Sequence, residues 1–173
     1  FSNSFLPGVS MNLQFNGQAF HSHITVQKQA GIDADAETGN AGEATVRNPY
    51  VYPKAVYRPK VISQSSGSDV DTETAAKTAL AAELKNIKLT IKLDRWLDAN
   101  GKIIKPNNYI TVLNPEVYLY NKTVWFIEEV AFSGNEKEQT AVLTCVLPEV
   151  YNGKTPVYLF KGINEHCEKI PTA

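Results

Sequence analysis

An α+β fold dominated by strands is predicted by three features of the sequence. Residues 87–94 alternate strictly between apolar and polar side chains. One stretch alone, 71–85, carries convincing helical periodicity. The second half is a series of short strand-like runs, each followed by a turn, as in antiparallel barrels and sandwiches. The expected architecture is one or more small antiparallel β-barrels plus a β-α-β layer with one main helix.

The elements follow in order. Residues 9–15 and 20–27 read as strands. In the second, Phe20, Ser22, Ile24 and Val26 share one parity, and His21, His23, Thr25 and Gln27 the other. Asn16-Gly17 lies between them and predicts a tight hairpin, because both residues tolerate positive φ. Residues 30–49 hold three glycines, the acids Asp33, Asp35, Glu37 and Glu43, and almost no large apolar side chain. Such a composition cannot offset its own ordering entropy, so a long mobile loop is expected. Tyr57-Arg58-Pro59 then opens a strand over 57–63. Pro59 places it at a strand start or a sheet edge, because proline has no N–H to donate to a ladder.

The helix over 71–85 has Asp69 or Asp71 as its cap and Glu73 in its first turn, where the backbone dipole favours an anion. Ala76, Leu80 and Leu84 recur every fourth residue, and Glu73 and Lys77 form an i,i+4 pair. Strand 57–63, this helix and strand 87–94 are expected to form the β-α-β unit. Asp98-Ala99-Asn100-Gly101 is a turn. Strands are expected over 109–113, 116–120, 124–132 and 139–147, with Asn121-Lys122 as a connection. The domain reading is a barrel portion over 1–56, the α+β layer over 57–95, a second barrel portion over 96–150 and an extension over 151–173. Phe1 in place of Met is read as the mark of a segment removed upstream.

Composition excludes several function classes. Seventeen basic and 18 acidic residues give a net charge of −1, without the basic excess that sequence-specific duplex binding draws on. No apolar run approaches the roughly 20 residues of a membrane span. Two cysteines cannot build a disulfide framework or a structural zinc site.

Few residues suggest chemistry. His21 and His23 share a strand face, but two ligands do not make a metal site, so a solvated face is the reading. Cys145 has the parity of Ala141, Leu143 and Leu147 and is expected in the core; Cys167 lies in the tail. Glu128 and Glu129 are adjacent on a strand, point to opposite faces and cannot act as an acid–base pair. No phosphate-binding, nucleophile-elbow or zinc-protease motif is present. No catalytic, metal or cofactor residue is assigned. The aromatic residues Trp96, Trp125, Tyr109, Tyr118 and Tyr120 remain, as an interface, as a sugar-stacking platform or, for the Tyr118 and Tyr120 face, as one side of a sheet buried on both faces.

Three stretches in sequence resemble one family. They are Tyr57-Arg58-Pro59-Lys60-Val61-Ile62 with the alanine-rich helix after it, Trp96-Leu97-Asp98-Ala99-Asn100-Gly101-Lys102-Ile103-Ile104-Lys105-Pro106-Asn107, and Trp125-Phe126-Ile127 through Val142-Leu143-Thr144 to Pro148-Glu149. Together, across about residues 15–150, they resemble the C-terminal part of Mu-like phage baseplate hub proteins, the tail P-protein family. Ile104 stands where that family often has an aromatic residue. The resemblance implies a virion structural protein, not an enzyme, in a homotrimer whose barrels form a ring between tail tube and central spike. It implies assembly in the bacterial cytoplasm, a place in the tail baseplate, and partners limited to itself and the tube and spike proteins, with no membrane. The structural or interface residues expected are Arg58, Pro59, Trp96, Gly101 and Trp125 within those stretches, with Tyr118 and Tyr120 added for their shared strand face. The alternatives are a secreted carbohydrate-binding module using Trp96 or Trp125, and an enzyme of unassigned class.

Overall fold

The computed structural model describes residues 9–29, 40–51, 56–65, 70–135, 137–154, 156 and 158–160. In chain order its elements are β1 Ser10–Phe15, β2 His23–Gln29, β3 Asn40–Arg47, β4 Pro59–Gln64, α1 Thr72–Leu84, β5 Ile87–Leu93, β6 Tyr109–Asn114, β7 Leu119–Gly134, β8 Gln139–Val146 and α2 Glu149–Asn152. Strands dominate, as expected. The described residues fall into two compact units, one drawn from 9–15, 87–135, 137–148 and 158–160, the other from 16–29, 40–51, 56–65, 70–86, 149–154 and 156.

The first unit is a five-stranded antiparallel sheet in the order β1-β5-β8-β7-β6. Its centre is β5, whose alternation is read out directly. Ile87, Leu89, Ile91 and Leu93 are buried, while Lys88 and Lys92 are exposed. Leu89 stands opposite Cys145 and Ile91 opposite Leu143, all four fully buried. On the other side Leu13 and Met11 of β1 face the same two residues. Trp125 is also fully inside this unit. Its indole N–H donates to Thr123 Oγ1 at 2.9 Å, and that hydroxyl donates to the Val112 carbonyl at 3.1 Å. The buried polar end of the ring is thereby satisfied.

The expected barrel is instead an open sheet whose two edges come within side-chain reach. The Asn114 amide on β6 lies 3.5 Å from Met11 Sδ on β1, but no ladder joins the two strands. The reason is local. Pro115 has no N–H for a ladder and begins a 3-10 turn over Pro115–Val117, with Asn114 Oδ1 accepting from Glu116 N at 3.0 Å. β6 therefore ends where closure would have to begin.

The second unit is a three-stranded sheet in the order β3-β2-β4, with β2 antiparallel to β3 and parallel to β4. Helix α1 packs on β2 and β3. Phe20, Ser22, Ile24 and Val26 are all buried, as their shared parity predicts. Asp71 is the cap, accepting from Thr74 N at 2.8 Å and from Thr74 Oγ1 at 2.7 Å. Ala76, Leu80 and Leu84 form the buried stripe, and Lys77 reaches Glu73 at 2.6 Å. Pro59 opens β4, an edge strand, in both respects as expected.

Several expectations are corrected. Asn16-Gly17 makes no hairpin: Asn16 Oδ1 accepts from Gln18 N and caps a 3-10 turn over Gly17–Ala19. β1 and β2 then go to different sheets. Within the expected loop 30–49 lies β3; residues 30–39 are outside the described residues. β3 is short of large apolar side chains because it is an edge, held by its ladder to β2, by Thr25 and Thr45 hydroxyls 2.8 Å apart and by Gln27 donating to Glu43 at 3.3 Å. The β-α-β unit does not exist, because β4 and β5 belong to separate sheets. Residues 116–118 are turn rather than strand, while Leu119 and Tyr120 open the sixteen-residue β7, inside which Asn121-Lys122 lies. β7 runs that far because its first half pairs with β6 and its second half with β8, with a bulge between Ile127 and Glu129.

Truncating the centre of the first sheet tests this packing. Leu89→Ala is expected to lower unfolding free energy by about 2–5 kcal/mol in urea titration. Lys88→Ala, one residue away on the exposed face, is expected to stay within about 0.5 kcal/mol.

Candidate functional site

The residues singled out from the sequence are built into three local arrangements. Arg58 and Pro59 lie where β4 begins. The Arg58 amide donates to Ser22 Oγ at 2.9 Å, its carbonyl accepts from Ser22 N at 2.8 Å, and its guanidinium donates to the Gln18 carbonyl at 2.5 Å. The buried Ser22 thus ties the entry of β2 to that of β4, and the Asn48 amide donates to the Ser22 carbonyl at 3.1 Å.

Nearby, the buried carboxylate of Glu83 on α1 accepts from the His21 amide at 3.0 Å and contacts His21 Nδ1 at 2.7 Å, with Lys60 Nζ at 3.7 Å. His21 precedes β2 and is held by this carboxylate. His23 begins the strand, with Nδ1 3.1 Å from Ser22 Oγ and its ring beside Tyr57. The two imidazoles are therefore engaged separately. Glu83 lies 62 residues from His21 and had no signal beyond its place in an alanine-rich helix.

In the first unit, Trp96 and Gly101 belong to the segment leading to β6. Leu97 and Ile103 form an isolated antiparallel bridge around the Asp98–Gly101 turn. Gly101 has φ +73°, the left-handed value that glycine adopts without strain. Asp98 Oδ1 accepts from Asn100 N at 2.8 Å and Lys102 N at 2.9 Å. These bonds, the one from Lys102 first, hold its carboxyl below the ordinary 3.8. Trp96 is the pin at the far end of the β7–β8 hairpin. Its indole N–H is shared between the carbonyls of Ser133 and Thr140, each at 3.1 Å, and its ring meets Phe132 edge-on at 6.0 Å. The ring lies against the Gly134 backbone so closely that a Cβ there would stand 2.7 Å from Trp96 Cζ2 and 2.9 Å from the Glu138 carbonyl.

Tyr118 and Tyr120 lie at the turn from β6 into β7. Tyr118 follows the Pro115–Val117 turn in the left-handed conformation, φ 61°, with 60% of its surface exposed. Tyr120 is half-buried on β7 beyond the buried Leu119. A sugar-stacking platform needs free ring faces, and the buried Trp125 offers none.

An open groove of about 810 Å³ lies at the opposite end of β6. Ile104, Ile110, Ile127 and Leu143 give it an apolar floor, and Lys102 and Lys105 stand on its rim. Cys145 is on the buried face, where loss of hydration pushes its thiol up to about 12. It behaves as a small core hydrophobe rather than a nucleophile.

No protein-family model matches this chain, and no curated protein matches its sequence. Solved structures do match. A tail protein from Neisseria meningitidis superposes with TM-score 0.60 at 17% identity, covering 82% of this chain and 40% of its own. The 43 kDa tail protein of prophage MuSo2 from Shewanella oneidensis superposes with TM-score 0.61 at 18% identity, covering 82% of this chain and 41% of its own. The chain spans about two fifths of the length of these structures. Its fold is thus one found in phage and prophage tail proteins.

Two measurements test these arrangements. Gly134→Ala is expected to cost about 1–3 kcal/mol, because backbone crowds the new methyl group and Trp96 must leave its seat; urea titration with tryptophan emission reads both effects. The Asp98 carboxylate favours the folded turn, so its contribution is complete above pH 3.8 and is lost as the pH falls through the depressed folded value. The Lys102 amide resonance is expected to shift in that acid range, and Asp98→Asn is expected to abolish the shift.

Proposed function

We propose that this chain is a structural component of a contractile phage or prophage tail, in the baseplate hub that joins the tail tube to the central spike. In this reading it acts as a homotrimer, has tube and spike proteins as its partners, and is assembled in the bacterial cytoplasm before taking its place in the virion tail. The observation that carries the reading is the superposition on two tail proteins, at TM-scores of 0.60 and 0.61 over 82% of the chain. The ordered resemblance of the 57–62, 96–107 and 125–149 stretches to Mu-like hub proteins supports the same role.

The physical chemistry fits an assembly part. Among the described residues both sheets have edge strands with no ladder on one side, β1 and β6 in one and β3 and β4 in the other. Unpaired edges are templates for pairing and need a neighbour or a cover. Tyr57, Tyr109 and Tyr118 are each more than half exposed, and aromatic side chains of this kind dominate interface energetics. The work of such a part is binding rather than turnover of a substrate.

Gold-labelled antibody against this chain, applied to purified tail particles, is expected to decorate the baseplate end. Absence of label from intact and opened particles would contradict the role. Light scattering on the purified chain is expected to give three times the 19.1 kDa monomer mass.

A further inference from the structure

The first unit carries a projection and a hollow at opposite ends of one strand. At the C-terminal end of β6, the Pro115–Val117 turn lifts Tyr118 into solvent, 60% exposed, on a left-handed backbone that non-glycine residues adopt at a cost. Glu116 is exposed on the same turn. At the N-terminal end, Tyr109 opens onto the groove with its isoleucine and leucine floor and its Lys102 and Lys105 rim. The third charged rim group, Asp98, is held ionised by its own turn, so two ammonium groups against one carboxylate leave the rim basic by a single net charge. An acidic, aromatic tip therefore matches an apolar hollow whose rim is basic on balance.

The six residues of β6 separate the two features by roughly 20 Å at the usual rise of a strand. A molecule cannot place its own tip in its own groove. Two different patches that fit each other make a heterologous contact, which closes into a ring when the rotation allows it. We propose that the Tyr118 tip of one copy seats in the Ile104–Ile127 groove of a second copy, with Glu116 facing Lys102 and Lys105. This rests on the homo-oligomeric reading above and names the surfaces that would carry it.

Charge exchange and directed cross-linking test it on the full chain. Tyr118→Ala and Glu116→Lys are each expected to weaken self-association tenfold or more in sedimentation. Adding Lys102→Glu and Lys105→Glu to Glu116→Lys is expected to recover most of the loss, which a folding defect would not do. In a Cys167→Ser background, chains carrying Tyr118→Cys mixed with chains carrying Ile103→Cys are expected to form a mixed disulfide. Chains carrying Lys88→Cys in place of the tip cysteine are expected not to. An oligomer whose affinity ignores these substitutions and which forms no mixed disulfide overturns the tip-in-groove contact and leaves the homo-oligomer standing, with the groove free for a different partner. A chain that stays monomeric throughout overturns both.

Discussion

The ladder between β5 and β8 is the constraint on which the first unit depends. Leu89 against Cys145 and Ile91 against Leu143 are central pairs with no solvent on either member. Everything else in that sheet is placed by these two strands. β1 attaches to the far side of β5, and β7 attaches to β8. A shift of one residue in either ladder would turn four buried side chains outward and bury Lys88 and Lys92, so the register is strongly specified. The thiol of Cys145 records the same dryness in its raised pKa.

Because that centre is dry and complete, the ends of the sheet are free to do other work. β6 stops at Pro115, which leaves the sheet open and raises the Tyr118 tip, and the groove lies at the other end of the strand. Trp96 pins the β7–β8 hairpin from the segment that then forms the groove wall. The turn that ends β6 and the groove at its other end are the two surfaces on which the proposed self-contact rests. In the second unit the corresponding control is Ser22, buried between the starts of β2 and β4, together with the Glu83 carboxylate that holds His21.

Where burial is periodic, the fold was legible from the sequence. β5 and β2 declare themselves by side chains that the structure buries, α1 does so by Ala76, Leu80 and Leu84 with Ala75 and Ala79 half-buried beside them, and Asp71 declares the helix start. The Asp98–Gly101 turn was legible because an aspartate and a glycine perform a local task. Misreadings arose where non-local pairing decides the outcome. β3 has only small and polar residues and becomes a strand because β2 lies beside it. Asn16-Gly17 has the residues of a hairpin but sits where the chain leaves one sheet for another. Asn121-Lys122 looks like a turn but lies in the register shift of the ladder with β6, which resumes on either side at Leu119 and Thr123 and keeps the strand continuous. Of the site, the aromatic residues were visible, but not which of them were exposed. Trp125 and Tyr118 differ in nothing the local sequence displays, and the Glu83 contact spans 62 residues.

The central proposal is an assembly part whose contacts with its own copies lie at the two ends of β6. Hydrogen–deuterium exchange on the chain at low and at high concentration tests it most directly. The account expects peptides covering 98–105 and 114–118 to gain protection with concentration, while those of β5 and β8 stay equally slow in both. Exchange at those two segments that is independent of concentration, or protection gained only elsewhere on the chain, would contradict it.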